Sequence, residues 1–374
     1  MNESIRAQFA ALKQFTYLNS AAVSPLPAAA IEAVNSQMND VANYGSSHYL
    51  NWLEVKSRAR ALLASMMNVQ PEQVAFTRNT SDGIAMIANG LDWQTGYNIV
   101  SYAREFPANY YPWRRIRDRY SVELRLCPER DGRIDLEEFI SLIDSNTKAV
   151  AISSVQFASG FRADLERIGR AARAVDALFC VDIIQGLGAH GYDLPSQYVD
   201  AASGASHKWL CAPEGCGFVY LSERAHELVE PTITGWISVE TPWDFVDREQ
   251  PLKPNALALE SGTGVSSLFY GLEQSLKLIS DTGLEKIENH LELLTDQLCD
   301  SLGGKDYDIV SSRRNGEKSA IVCIKHRYGR DPNEIFKQLE ETNVIVSARE
   351  DRLRIAPHFY NDAGDIERFV EVLP

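Results

Sequence analysis

The chain has 374 residues, is 45% hydrophobic and 24% charged, and carries a net charge of −14 from 37 basic and 51 acidic residues. That length allows roughly two or three domains and a large buried core. The acidic balance argues against nonspecific nucleic-acid binding, which needs a basic face. The segment Met1 to Arg6 lacks the apolar core of a signal peptide, and no apolar run approaches the length of a membrane-spanning helix. A cytoplasmic protein with no membrane or nucleic-acid partner is the expectation. The cysteines Cys127, Cys180, Cys211, Cys216, Cys299 and Cys323 form no CxxC pair, so reduced, mostly buried thiols are expected rather than metal ligands.

Helical and strand patterns alternate, which predicts an α/β fold with a largely parallel sheet. Residues 54–67 read as a helix with Leu62, Leu63, Met66 and Met67 near one face. Val74 to Thr77 is a strand, Arg78-Asn79-Thr80 a turn, and Ser81 to Leu91 a helix with Ile84, Ile87, Ala88 and Leu91 at helical spacing. Asn98 to Tyr102 and Ala149 to Val155 are further strands. Asp164 caps a helix carrying Leu165, Ile168, Ala172 and Val175, and Leu178 to Val181 is again a strand. The stretch 236–258 holds Pro242, Pro251 and Pro254 and reads as a long loop. A helix from about Ser267 to Ser280 follows, with Leu268, Leu272, Leu276 and Ile279 inward. Residues 284–374 form a smaller α+β unit with strands at Ile321 to Ile324, Val344 to Val346 and Arg352 to Ile355. Alternation in the last strand puts both of its arginines on one side. A final helix starts at Asn361 or Asp362, with Ile366, Phe369, Val370 and Leu373 inward.

Two positions carry the chemistry. Asp182 ends an apolar strand, where open α/β sheets bind ligands. Lys208 follows in Ser206-His207-Lys208-Trp209, with only Glu214 as a charged residue nearby. An aspartate and a lysine in this order can hold pyridoxal 5′-phosphate. The lysine forms an imine with its aldehyde, and the aspartate keeps its ring nitrogen protonated. The alternatives are a turn-capping aspartate and a surface lysine.

Other positions are weaker alone. Thr80 and Ser81 open a helix after a strand, so free N–H groups and hydroxyls make a phosphate cradle, or an ordinary N-cap. Phe106, after a strand, could stack on a planar ring or sit in the core. Gln185 could bond the cofactor's phenolic oxygen, and Ser206 and His207 could donate to its phosphate. The Arg354 fork matches a carboxylate. Arg352 reads equally well as an exposed pair with Asp351.

Taken together, these stretches resemble the class V aminotransferase family, fold-type I enzymes that include cysteine desulfurases and kynureninases. The resemblance runs from Tyr17-Leu18-Asn19-Ser20-Ala21-Ala22 to the final helix. It implies a mostly parallel seven-stranded sheet in a large domain (21–265) and a small C-terminal α+β domain (266–374) joined by an N-terminal arm (1–20). It also implies pyridoxal 5′-phosphate as cofactor. Thr80 and Ser81 then hold the phosphate, Phe106 stacks on the ring, and Asp182 and Gln185 match the family's Asp-x-x-Gln. Lys208 matches its His-Lys, and Arg354 the arginine that grips the substrate α-carboxylate. Glu260-Ser261-Gly262-Thr263 is similar to a segment whose threonine reaches the neighbouring subunit's phosphate, which implies a homodimer with shared active sites.

There is one departure. Desulfurases carry a nucleophilic cysteine before that arginine, whereas Val344 to Arg354 here is short and has none. The expectation is an amino-acid-transforming enzyme. Transamination is the first reading, and carbon–sulfur lyase or other β-elimination chemistry and epimerisation are alternatives. A non-catalytic binding or regulatory protein is the reading from a different class.

Overall fold

The protein is described here by a computed structural model covering residues 3–374; the first two residues of the expected arm lie outside the described residues. The central sheet has seven strands, β1 (Val74–Thr77), β2 (Asn98–Tyr102), β3 (Glu123–Cys127), β4 (Thr147–Ser153), β5 (Leu178–Asp182), β6 (Ala201–Ala205) and β7 (Gly217–Leu221). Their spatial order is β1-β7-β6-β5-β4-β2-β3. Only β7 is antiparallel, pairing with β1 and β6. The other pairs are parallel, so the mostly parallel sheet read from the alternating pattern is present. Every residue of β2, β5, β6 and β7 is buried. A sheet covered on both faces has little room for charge, and Asp182 is the one charged residue in these four strands.

The helices of ten residues or more are α1 (Ala28–Tyr44), α2 (Tyr49–Ser65), α3 (Thr80–Gly90), α4 (Tyr111–Tyr120), α5 (Leu165–Ala174), α6 (Ser266–Thr282), α7 (Leu284–Ser301), α8 (Pro332–Glu341) and α9 (Ala363–Val372). Asp164 caps α5 as expected, accepting from Arg167 N at 3.1 Å. Helix α2 starts at Tyr49 rather than 54, because exposed Leu50 hides the period of its first turn. Helix α6 buries Leu272, Leu276 and Ile279 and lies along α1 and α2. The helix expected to open the smaller unit therefore packs on the first part of the chain.

A second, antiparallel sheet has the order β8 (Tyr307–Ile309), β9 (Val322–His326), β11 (Arg352–Ile355), β10 (Ser347–Arg349). Its core takes Leu294 and Leu298 from α7, Ile335 and Leu339 from α8, and Ile366 and Phe369 from α9. The N-terminal segment joins it: Thr16 and Tyr17 pair in parallel with Val344 and Ile345, and Leu18 enters the same core. Among the described residues, no helix is long and apolar enough to cross a membrane.

The long loop expected at 236–258 ends in a buried anchor. Glu260 accepts from Arg60 at 2.7 Å, from Lys56 at 2.5 Å and from the Phe76 N–H at 2.8 Å. Burial pushes its pKa up, but Arg60 and Lys56 outweigh burial and hold it at about 2. Removing one partner of such a cluster leaves buried charge uncompensated. Glu260→Ala should cost about 3–5 kcal/mol of stability in chemical denaturation. Because the folded-state pKa is depressed, the anchor's contribution is complete above the ordinary glutamate range. It should fade as pH falls toward about 2, so the difference between wild type and variant should narrow in acid.

Candidate active site

The C-terminal ends of the parallel strands converge on one cavity of about 290 Å³, a size at the small end for ligand sites. Thr80, Ser81, Phe106, Asp182, Gln185, His207, Lys208 and Arg354 all line it. Residues from five separate chain segments thus meet where a ligand would sit in an open α/β sheet.

Asp182 is the last residue of β5 and is 1% exposed. Its Oδ1 accepts from the Ile184 N–H at 2.9 Å, while Oδ2 is buried without a partner. Burial pushes its pKa well above the usual carboxylate range; the Ile184 N–H opposes that, Glu105 adds to the rise and Lys208 opposes it. Lys208 is 8% exposed, and its Nζ lies 5.3 Å from the centre of the Phe106 ring. Burial pushes the lysine pKa down, opposed by Asp182 and reinforced by Arg354 and Arg349. A desolvated lysine with a lowered pKa is a nucleophile and a proton carrier near neutrality.

The turn bearing Lys208 is fixed from within. Ala212 N donates to Ser206 O at 3.0 Å, and Cys211, at φ 49°, donates its N–H to Lys208 O at 3.1 Å. Ser206 corrects one expectation: its only hydroxyl hydrogen goes to Pro213 O at 2.5 Å, so it has none to give an anion. Gln185 lines the cavity but also ties the site together. Its Oε1 accepts from the Trp209 indole at 3.0 Å and its amide donates to Ala21 O at 3.1 Å, leaving one amide hydrogen. His207 is half-buried beside Lys208, and burial lowers its pKa, with Lys208 adding to the fall.

At the other end stands the N-terminus of α3. Asn79, not Ser81, is the cap, accepting from Asp82 N at 2.9 Å. Thr80 is buried with its hydroxyl unpartnered, and Ser81 is exposed at the cavity. Gly83 lets α3 press on the sheet: a Cβ there would meet Ser203 Oγ at 2.2 Å and Val219 Cγ2 at 2.5 Å. Free N–H groups, the helix dipole and an unused hydroxyl suit a phosphate. The orphaned Asp182 Oδ2 suits a protonated ring nitrogen, and the face of Phe106 suits a flat ring. The residues present therefore fit pyridoxal 5′-phosphate.

Arg354, on β11, is 2% exposed. It donates to Phe157 O and to Ser347 Oγ, both at 3.2 Å, and its Nε has no partner. Burial, with Arg349 beside it, lowers its pKa to about 10. Arg352 is not the exposed pair considered above. It is buried, bonded to Asp351 at 2.9 Å and within 3.7 Å of Glu129.

Gly262 and Thr263 do not line this cavity; Thr263, which is exposed, lines a separate one with Tyr49 and Trp236. Tyr44, His48, Trp236 and Arg104 do not line the cavity of Lys208 either.

Sequence reasoning missed two residues. Arg349 lines the cavity beside Arg354. Its signal was the hairpin: a two-residue turn at Glu350-Asp351 sets Arg349 opposite Arg352 on one face. Glu105 is buried before Phe106 and accepts from Ser153 N at 2.7 Å, Ser153 Oγ at 2.5 Å and Gln156 at 2.9 Å. It clamps the Phe106 loop to the segment whose Phe157 carbonyl holds Arg354.

The fold and the site together define a pyridoxal 5′-phosphate-dependent enzyme of fold type I. The family model described as aminotransferase class-V matches residues 16–367, and the chain belongs to that family. A probable cysteine desulfurase of Methanothermobacter thermautotrophicus is 26% identical, over 99% of this chain and 97% of its own. The uncharacterized aminotransferase YcbU of Bacillus subtilis is 23% identical, over 99% and 96%. Among solved structures, the apo cysteine desulfurase of Thermococcus onnurineus superposes with a TM-score of 0.90 at 22% identity, covering 100% of this chain and 97% of its own. The cystine C–S lyase C-DES, bound to cysteine persulfide, gives 0.88 at 21%, covering 98% and 99%.

Purified protein given pyridoxal 5′-phosphate should show a visible absorption band. Lys208→Ala should lose that band and lower turnover by at least about a hundredfold, the low end for loss of a positioned acid–base group. A variant with the wild-type spectrum would remove Lys208 from the site.

Proposed function

We propose that this protein is an aminotransferase acting on an α-amino acid. When bound, pyridoxal 5′-phosphate supplies an aldehyde for the amino group and a ring that accepts an electron pair. The chain's own residues do the rest. Arg354 orients the substrate through its α-carboxylate, Asp182 Oδ2 holds a proton at the ring nitrogen, and Lys208 Nζ carries the substrate α-proton. The observation that carries this reading is the inventory of the cavity: one amine, Lys208, and no cysteine. Transamination asks only for a group that takes a proton from one carbon and returns it to another. Persulfide transfer asks for an exposed thiol. Cys323 pairs across the sheet with Arg354 but is 0% exposed, and burial raises its pKa to about 11.

Carbon–sulfur β-elimination is the second reading. It is favoured by the relatives and the structural neighbour named as acting on cysteine or cystine, and it requires no protein thiol. Mixing the enzyme with single amino acids, without any keto acid, separates the two. Transamination should convert bound cofactor to pyridoxamine phosphate and release one equivalent of keto acid. Release of ammonia or sulfide over many turnovers would overturn it in favour of lyase chemistry.

We further infer a cytoplasmic homodimer. All six cysteines are free thiols, which suits a reducing compartment. Trp236, Trp243 and Phe245 are 40%, 55% and 60% exposed beside the exposed Thr263, an apolar patch of the kind that marks an interface. Thr263 then reaches the partner's cofactor phosphate. Thr263→Ala should speed cofactor loss on dialysis without changing the dimer mass; a fully active monomer in solution would contradict the shared site.

A further inference from the structure

Three arginines share one face of the small sheet. Ser347 pairs with Arg354 and Arg349 with Arg352 across β10 and β11, and opposed residues of an antiparallel pair point the same way. Arg352 is neutralised by Asp351 and Glu129. The other two are not. Arg354 and Arg349 both line the cavity of Lys208, and neither has a carboxylate partner among the described residues. Arg349 donates to the carbonyl of its neighbour Ala348, at 2.8 Å.

Acids near Arg349 in sequence are engaged elsewhere. Glu350 takes up φ 55° at the hairpin tip and pairs with Arg104, which also holds Glu129 at 2.8 Å. Asp351 pairs with Lys325 at 2.7 Å and with Arg352 at 2.9 Å. A protein of net charge −14 thus leaves two guanidinium groups, Arg354 buried and Arg349 half-buried, at one cavity; burial lowers the pKa of both, and Arg349 lowers that of Arg354 further. Two adjacent unpaired cations are costly in the free protein and are offset when anions arrive.

We propose that Arg349 reads a second acidic group on the substrate, so that this enzyme prefers amino acids whose side chain ends in a carboxylate. This rests on the amino-acid reading above, in which Arg354 takes the α-carboxylate. One carboxylate satisfies one fork bidentately; a diacid satisfies both.

The isosteric pairs aspartate/asparagine and glutamate/glutamine test it. Each is titrated into the protein loaded with pyridoxal 5′-phosphate, and the dissociation constant is read from the change in its visible band. The acid of at least one pair should bind roughly ten- to a hundredfold tighter than its amide, the range for a hydrogen-bonded charge. Arg349→Gln should erase that preference and leave amide binding within a fewfold of wild type, whereas Arg354→Gln should weaken acid and amide alike. Equal affinity for acid and amide in the wild type, or equal losses on both in Arg349→Gln, would overturn the inference while leaving the amino-acid reading standing. No spectral response to any amino acid would overturn both.

Discussion

A desolvated lysine and a desolvated aspartate at the end of one sheet set the terms for everything else in this molecule. Burial disfavours both charges: Lys208 is pushed toward the neutral amine and Asp182 toward the neutral acid. Each resists the other's neutralisation, and Asp182 Oδ2 has no donor among the described residues. Such a pair is costly to fold around. It makes physical sense when an aromatic cation and an aldehyde come to lie between the two side chains, because both deficits are then met at once.

The rest of the fold serves that pair. The parallel strands bring Asp182, the Glu105–Phe106 loop and the α3 N-terminus to the same edge. The turn locked by Ser206, Pro213 and Cys211 presents Lys208, and Trp209, held by Gln185, fixes it from behind. The second sheet contributes its arginine face, delivered across the gap by the Phe157 and Ala158 carbonyls. Glu105 links the two halves of this arrangement, because the strand end it clamps is paired in register with Asp182 through Ser153.

Much of this was legible in the sequence because it is local. An apolar run ending in aspartate, a Ser-His-Lys turn in an uncharged setting, and a strand followed by Asn-Thr-Ser each announce themselves within a few residues. The alternation of Arg352 and Arg354 did so too. What escaped depends on partners distant in the chain. The place of Arg349 follows from hairpin register, the role of Glu105 from loops about 50 residues away in sequence, and the engagement of Ser206 from a carbonyl on the far side of its turn. Strand β8 is short, with Asp308 and Ile309 exposed, so it carries no period to read. Helix α6 was recognised from its apolar face, but that face does not say which helices it meets.

A crystal structure of the protein soaked with pyridoxal 5′-phosphate probes the central pair most directly. Expected is continuous density from Lys208 Nζ to the vitamin, with Asp182 Oδ2 at hydrogen-bonding distance from the ring nitrogen and the phosphate at the first turn of α3. A ring bound elsewhere, or one whose nitrogen faces away from Asp182, would contradict the assignment of both residues.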